Sequence, residues 1–169
     1  MVDFRNKIGY ILVLCLFISC SQNTEKHYKE GRSLREQNEP IAAMKSFIAA
    51  TQSLSHNYTI KGRSYSNMAT MCRICERHDL AYKNYEKSAE EFHRAKDTTA
   101  YAYALNNMAW ELAVQGHKEQ AIVLADSACK VSPSNEVHNK TIETRAAACL
   151  YRAAYDSTIY YTNIVPIKS

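Results

Sequence analysis

The chain has 169 residues, of which 46% are apolar, 22% charged and 10% aromatic, a composition that excludes a disordered tail and a collagen-like fibre. With only 4 Gly and 3 Pro, it lacks the turn residues of a β-sandwich and the glycines of a phosphate-binding loop. Its 21 basic and 17 acidic side chains are mixed along the chain and give a net charge of +4, which disfavours nucleic-acid binding.

The first twenty residues have the layout of a secretory signal peptide. Arg5 and Lys7 precede Ile8–Ile18, an uncharged run of 11 residues, whereas a helix that crosses a bilayer needs ~20. The segment that ends at Ser19 and Cys20 resembles the lipobox of bacterial lipoproteins, in which the cysteine becomes lipidated and N-terminal. The resemblance implies that Cys20 carries the lipid. Ser21 behind it resembles lipoproteins of the Gram-negative outer membrane, where we expect the exported protein to be anchored.

This interpretation divides the chain into four parts. They are a signal peptide at 1–19, a lipidated N-terminus with a short tether at 20–23, a helical domain at 24–165 and a C-terminal tail at 166–169. Two alternatives stay open: the apolar run is retained as a transmembrane anchor, or cleavage occurs before Cys15, where bulky Leu14 makes a poor cleavage site.

Pairs of small residues recur along the domain with a constant interval of 12 residues. The pairs are Gly31 and Ala43, Ala69 and Ala81, Ala109 and Ala121, and Ala146 and Thr158. A small side chain on each of two crossing helices lets their axes approach to ~8–10 Å. Each unit is therefore predicted to be an antiparallel helix pair. Breakers such as Pro40, Gly116 and Pro133 then predict helices at 23–37, 40–54, 58–77, 79–95, 98–115, 118–131, 136–151 and 154–165.

The domain resembles a tetratricopeptide repeat protein. The motif is clearest in the third unit, which carries Leu105, Ala109, Trp110, Leu112, Gly116, Ala121, Ala128 and Pro133. The second unit carries Tyr65, Met68, Ala69, Ala81 and Tyr85. The first and fourth units depart from it, as terminal repeats do. The resemblance implies an all-α fold, a right-handed α-α superhelix of about four helix pairs, that acts as a non-catalytic scaffold for a protein or peptide.

In repeats of this family the first helices line a concave surface, and counting from the small residues predicts which side chains lie on it. The predicted groove residues are Tyr28, Arg32, Arg35, Arg63, Asn67, Arg73, Tyr103, Asn106 and Trp110. The guanidiniums, with few acids opposite, suit a peptide that has an acidic or C-terminal carboxylate group. The alternative is that the arginines are only solvated and Trp110 fills the core.

No residue pattern predicts catalysis, a cofactor or a metal site. The six histidines are never four residues apart, so a helical zinc site is excluded, and the glycines provide no nucleophile elbow. Cys72 and Cys75 form a Cys-x-x-Cys motif, but both fall late in a predicted helix, whereas a reactive thiol belongs at a helix N-terminus. Structural thiols are favoured, with a local disulfide and a thiol oxidoreductase as alternatives. Whether Cys129 and Cys149 pair stays open.

The C-terminal end leaves two further possibilities. The chain stops after the fourth predicted pair without a polar capping helix, which suits a sensory or input module truncated from a longer membrane-associated regulator. It equally suits self-association through apolar surface that a further repeat would cover. The residues that would form this surface are Ile159, Tyr160, Ile164 and Val165.

Overall fold

A computed structural model of the protein describes residues 21–132 and 134–164, with side chains described up to residue 150. The described residues form seven helices joined by short turns and no strand. The helices are α1 over 21–36, α2 over Pro40–Gln52, α3 over Tyr58–Ile74, α4 over His78–Arg94, α5 over Thr98–Val114, α6 over Lys118–Val131 and α7 over Asn135–Ile164. The all-α repeat fold is thus confirmed, and the first six helices match the predicted ones within a few residues.

The same turn ends four of these helices. In each, one residue has a positive φ, and the next backbone N–H bonds to the carbonyl five residues earlier, which is the Schellman cap. The positive-φ residues are Asn38, Glu76, Lys96 and Gly116, with φ of 62°, 55°, 57° and 83°. The capping bonds run from Glu39 to Leu34, Arg77 to Cys72 and His117 to Leu112, each at 2.9 Å, and from Asp97 to Phe92 at 3.1 Å. A repeated cap therefore gives a repeated change of chain direction.

The small residues of the first three units lie where their helices meet. Ala43, Ala69, Ala81, Ala109 and Ala121 are completely buried. Gly31 is needed for close packing, since a Cβ there would lie 2.8 Å from ring carbons of Phe47. Gly62 meets the Phe92 ring in the same way, at 2.9 Å. The spacing of small residues thus identified the helix crossings correctly in these units.

Apolar clusters of buried side chains hold the helices together. Phe47 of α2 packs with Met68 and Met71 of α3. The larger cluster runs through the second and third units and reaches α7. Its members include Ala69, Tyr85, Phe92, Leu105, Met108, Ala128 and Val137. The larger cluster therefore joins the second unit to the third and to α7, as the neighbour-to-neighbour packing of a solenoid requires.

The fourth unit differs from the prediction. The two helices expected at 136–151 and 154–165 are one helix of 30 residues, α7, so three helix pairs are followed by a single long helix. The reason is local: no Gly or Pro lies between 135 and 164, and nothing there stops a helix. Ala146, predicted to be the small residue at a crossing, is exposed, while Ala147 and Ala148 are buried.

Several predictions fall on residues that the structure does not describe. The signal peptide, Cys20, Pro133 and Val165 lie outside the described residues, as does the 166–169 tail. The side chains of Ile159, Tyr160 and Ile164 lie outside them as well. Within the described ranges, no helix combines the length and the apolar content that crossing a membrane requires.

Candidate functional site

Side-chain hydrogen bonds connect the first helices of successive units. Arg35 of α1 donates to the amide oxygen of Asn67 on α3. Arg73 of α3 donates to Glu111 of α5, and Thr144 of α7 donates to Asn106 of α5 at 2.9 Å. These bonds place α1, α3, α5 and α7 side by side. We call the surface of α1, α3 and α5 on which the nine groove residues were predicted the first-helix face.

Three arginines of this face are exposed to solvent. Arg32 lies 3.5 Å from Glu36, one turn further along α1. Arg35 uses its guanidinium on the neutral Asn67. Arg63 is exposed and makes no ion pair with any acid in the described part of the chain. Asn67 is fixed between them, since its amide nitrogen donates to the Arg63 carbonyl oxygen at 2.8 Å. The α1 and α3 end of the face is therefore positively charged and only weakly neutralised.

The three aromatic residues of the face are half-buried. Tyr28 packs at 6.1 Å, ring centre to ring centre, from Phe47, and Trp110 keeps part of its surface in solvent. The hydroxyl of Tyr103 is buried and interacts with the carboxylate of Glu136. Burial, and secondarily the carboxylate of Glu136, raises the pKa of Tyr103 to about 12. Each ring thus belongs partly to the core and leaves only part of its surface for a ligand.

Arg73 and Asn106 differ from the prediction because they are already engaged inside the fold. Arg73 donates from Nε to Oε1 of Glu111 at 2.5 Å, and its guanidinium lies 5.0 Å above the Tyr85 ring. His78 Nδ1 lies 2.8 Å from the other oxygen of Glu111. Asn106 is buried against Thr144. These residues connect neighbouring helices and are not free for a peptide.

The sequence reasoning missed Glu111, although a signal for it existed. Glu111 is the only charged residue of α5, and it is completely buried. A lone acid in an otherwise uncharged helix has to find a partner when that helix is buried, because an unpaired buried charge is very costly. Arg73 and His78 supply the partners.

A second surface was not predicted at all, an apolar groove of about 650 Å³ between α2 and the C-terminal half of α3. We call it the α2–α3 groove. Ile41 and Ile74 line it and are 74% and 76% exposed. Its other lining residues are Arg35, Asn38, Pro40, Met44, Lys45, Thr70, Met71, Cys72, Cys75 and Arg77.

Cys72 of the Cys-x-x-Cys motif has the wrong electrostatics for a nucleophile. Burial, followed by the charge of Cys75, raises the pKa of Cys72 above its usual value, whereas a reactive thiol needs a lowered one. Cys75 is exposed at the C-terminal cap of α3. Cys72, Cys75, Cys129 and Cys149 are all free thiols, and Cys129 lies 2.8 Å from the Thr141 hydroxyl.

The helix pairs, their repeated caps and the hydrogen-bonded first helices define an α-helical repeat protein. The tetratricopeptide repeat family matches residues 61–134, which cover most of α3 and all of α4, α5 and α6. This match supports a tetratricopeptide repeat protein. Such repeats generally form non-catalytic scaffolds that bind protein partners. The comparison with curated proteins gives no match to the chain.

Proposed function

We propose that this protein is a lipid-anchored scaffold that binds a protein or peptide on its first-helix face. One observation carries the proposal: Arg32, Arg35 and Arg63 are exposed together on the two adjacent helices α1 and α3, in a chain whose central repeats belong to a partner-binding type. Exposed arginines on one surface repel one another, and an anionic partner relieves that repulsion.

The expected ligand is a peptide that presents an acidic side chain or a free C-terminal carboxylate. A guanidinium holds a carboxylate with two parallel hydrogen bonds, and Arg35 can exchange its neutral partner Asn67 for such a charged one. Exposed ion pairs contribute only ~0.2–1 kcal/mol each. Contact with the half-buried rings of Tyr28 and Trp110 therefore has to supply a large part of the affinity.

The anchor is proposed from the sequence, through the lipobox-like segment that ends at Cys20. Two acyl chains hold a protein stably on a membrane where a single chain does not. Replacing Cys20 by Ala should leave an unprocessed precursor and abolish partitioning into detergent. Maturation of this variant to the normal mass would refute the anchor and leave the scaffold role standing.

The binding role is tested with fluorescein-labelled hexapeptides that carry a free C-terminal carboxylate, each paired with its amidated form. Binders of the wild-type protein should prefer the carboxylate form and weaken as salt rises. They should also change the emission of Trp110, the single tryptophan. Arg32→Ala/Arg63→Ala should weaken binding about tenfold, which is about 1.4 kcal/mol.

The matched control removes two exposed positive charges elsewhere, with Lys83→Ala/Arg94→Ala on α4. It should bind like the wild type. If both double variants bind equally well and Trp110 emission does not respond, the first-helix face is not the binding surface.

A further inference from the structure

We propose that the α2–α3 groove is a second docking site, which takes a partner segment with aliphatic side chains flanked by acidic ones. The inference rests on the proposed scaffold role but uses a second surface, which shares Arg35 with the first-helix face. The groove has the size of a ligand site, about 650 Å³, and lies where the first and second units meet.

The apolar lining of this groove is not required by the repeat. Ile41 lies two residues before Ala43, and the equivalent residues of the next two units are Asp79 and Glu119. Both of these are exposed acids, as expected for a position on the surface of a helix pair. An isoleucine that is 74% exposed at this position contributes little to the fold. It instead forms a patch with Ile74, which is 76% exposed on α3.

The charged side chains at the border of the groove are all positive. Arg35, Lys45 and Arg77 line it, and no acidic side chain is among its lining residues in the described part of the chain. Arg77 meets Asp79 only at 3.9 Å, with both side chains largely in solvent, so this pair is weak. An apolar floor with a positive border is complementary to an aliphatic segment with a negative border. This complementarity favours a partner segment with aliphatic side chains flanked by acidic ones.

The probe is a fluorescein-labelled dodecapeptide of Leu and Glu, and its binding is followed by fluorescence anisotropy. Two control peptides replace every Glu by Lys, or every Leu by Ser. We expect the Leu and Glu peptide to bind, and each control to bind at least tenfold more weakly. Equal binding of all three peptides, or no binding of the first at millimolar concentration, would overturn the proposal.

Matched variants locate the site. Ile41→Asp introduces the residue type of the next unit at its equivalent position, so the fold should tolerate it, and binding should fall at least tenfold. Leu54→Asp changes an aliphatic residue that is 83% exposed outside the groove and should have no effect. Lys45→Glu should weaken binding, whereas Lys83→Glu, at the equivalent position of the second unit, should not. Binding that survives both Ile41→Asp and Lys45→Glu would contradict the proposal.

An independent footprint uses the exposed thiol of Cys75, which lines the groove. Bound peptide should slow the alkylation of Cys75 several-fold and leave Cys149, also exposed, unchanged. Unchanged alkylation at both thiols would count against the site. A dimer that forms without peptide and is abolished by Ile41→Asp would show that a second copy occupies the groove, which also overturns the proposal.

The proposed function of the first-helix face can be tested separately from this inference. Arg32→Ala/Arg63→Ala should bind the Leu and Glu peptide like the wild type, because neither arginine lines the groove. If the wild-type protein shows no preference for the carboxylate peptides but still binds the Leu and Glu peptide, only the proposed function is refuted. The reverse result would refute only this inference.

Discussion

Arg73 and Glu111, 38 residues apart in the chain, form an ion pair whose carboxylate is completely buried. The opposite oxygen of the same carboxylate faces His78 at 2.8 Å, so both oxygens of Glu111 have partners. The three residues belong to α3, α4 and α5. The pair therefore ties the second unit to the third across their shared interior.

Breaking this pair should destabilise the protein strongly. Removal of one partner from a buried ion pair costs about 3–5 kcal/mol because the other charge stays buried. The loss of stability in Glu111→Ala should be near the lower end of this range, since Arg73 is 29% exposed and can be partly hydrated. The loss in Arg73→Ala should be near the upper end, since it leaves a buried carboxylate. Urea unfolding at pH 7 gives both free energies of unfolding.

The control for this pair is Glu90→Ala, which removes an exposed acid of α4. Its free energy of unfolding should stay within about 0.5 kcal/mol of the wild type. A Glu111→Ala protein as stable as Glu90→Ala would show that the buried pair contributes nothing to the fold.

The repeat architecture could be predicted from the sequence because its signals are local. Small residues 12 apart, Pro40 and Gly116 mark the crossings and the turns, and they depend only on near neighbours in the chain. The continuous α7 was missed for the opposite reason: a break was assumed by analogy with the earlier units, although no breaker lies there. For α7, the repeat spacing therefore predicted the structure less well than the absence of helix-breaking residues does.

The candidate surfaces were only partly predictable. Counting from the small residues placed Arg32, Arg35 and Arg63 on exposed positions of the first helices. It could not tell that Arg73, at an equivalent position to Arg35, meets a buried acid, because that depends on which residue of α5 lies opposite. The α2–α3 groove depends on how closely two helices pack, which no single stretch of sequence encodes.

Gly62→Ala should destabilise the protein although alanine favours helices by up to about 1 kcal/mol over glycine. The new Cβ would lie 2.9 Å from ring carbons of the buried Phe92, and overpacking of this kind costs about 1–3 kcal/mol. In a Phe92→Leu background the same change should cost much less. Thermal unfolding of the two single variants and the double variant measures this coupling. Additive effects would show that the ring does not limit this position.

Lys96→Gly should stabilise the protein by about 0.5–1 kcal/mol. Lys96 ends α4 with φ of 57°, a left-handed conformation that costs other residues roughly 1–2 kcal/mol and glycine almost nothing. The equivalent turn after α5 already uses glycine, at Gly116. Lys96→Ala is the control, since it removes the same exposed side chain without relieving the backbone, and it should not stabilise. Equal melting temperatures for the Gly and Ala variants would contradict this explanation.

Tyr103→Phe should leave the protein as stable as the wild type or about 1 kcal/mol more stable at pH 7. The Tyr103 hydroxyl is buried and makes only a poorly aligned contact with the carboxylate of Glu136, which does not offset a desolvation cost of about 1–3 kcal/mol. Tyr85→Phe is the matched control, because the Tyr85 hydroxyl meets Thr70 at 3.1 Å. That variant should lose about 1 kcal/mol.

The same tyrosine gives the protein a predicted response to alkaline pH. Its pKa is about 12 in the folded protein and near 10 in the unfolded chain. The folded state therefore holds the phenol proton more tightly, and the stability that this provides is complete below pH 10 and is lost as pH rises from 10 towards 12. Urea unfolding at pH 8, 10 and 11.5 should show wild-type protein falling steadily further below Tyr103→Phe. A difference between the two that stays constant over this range would mean that Tyr103 ionises equally well in both states.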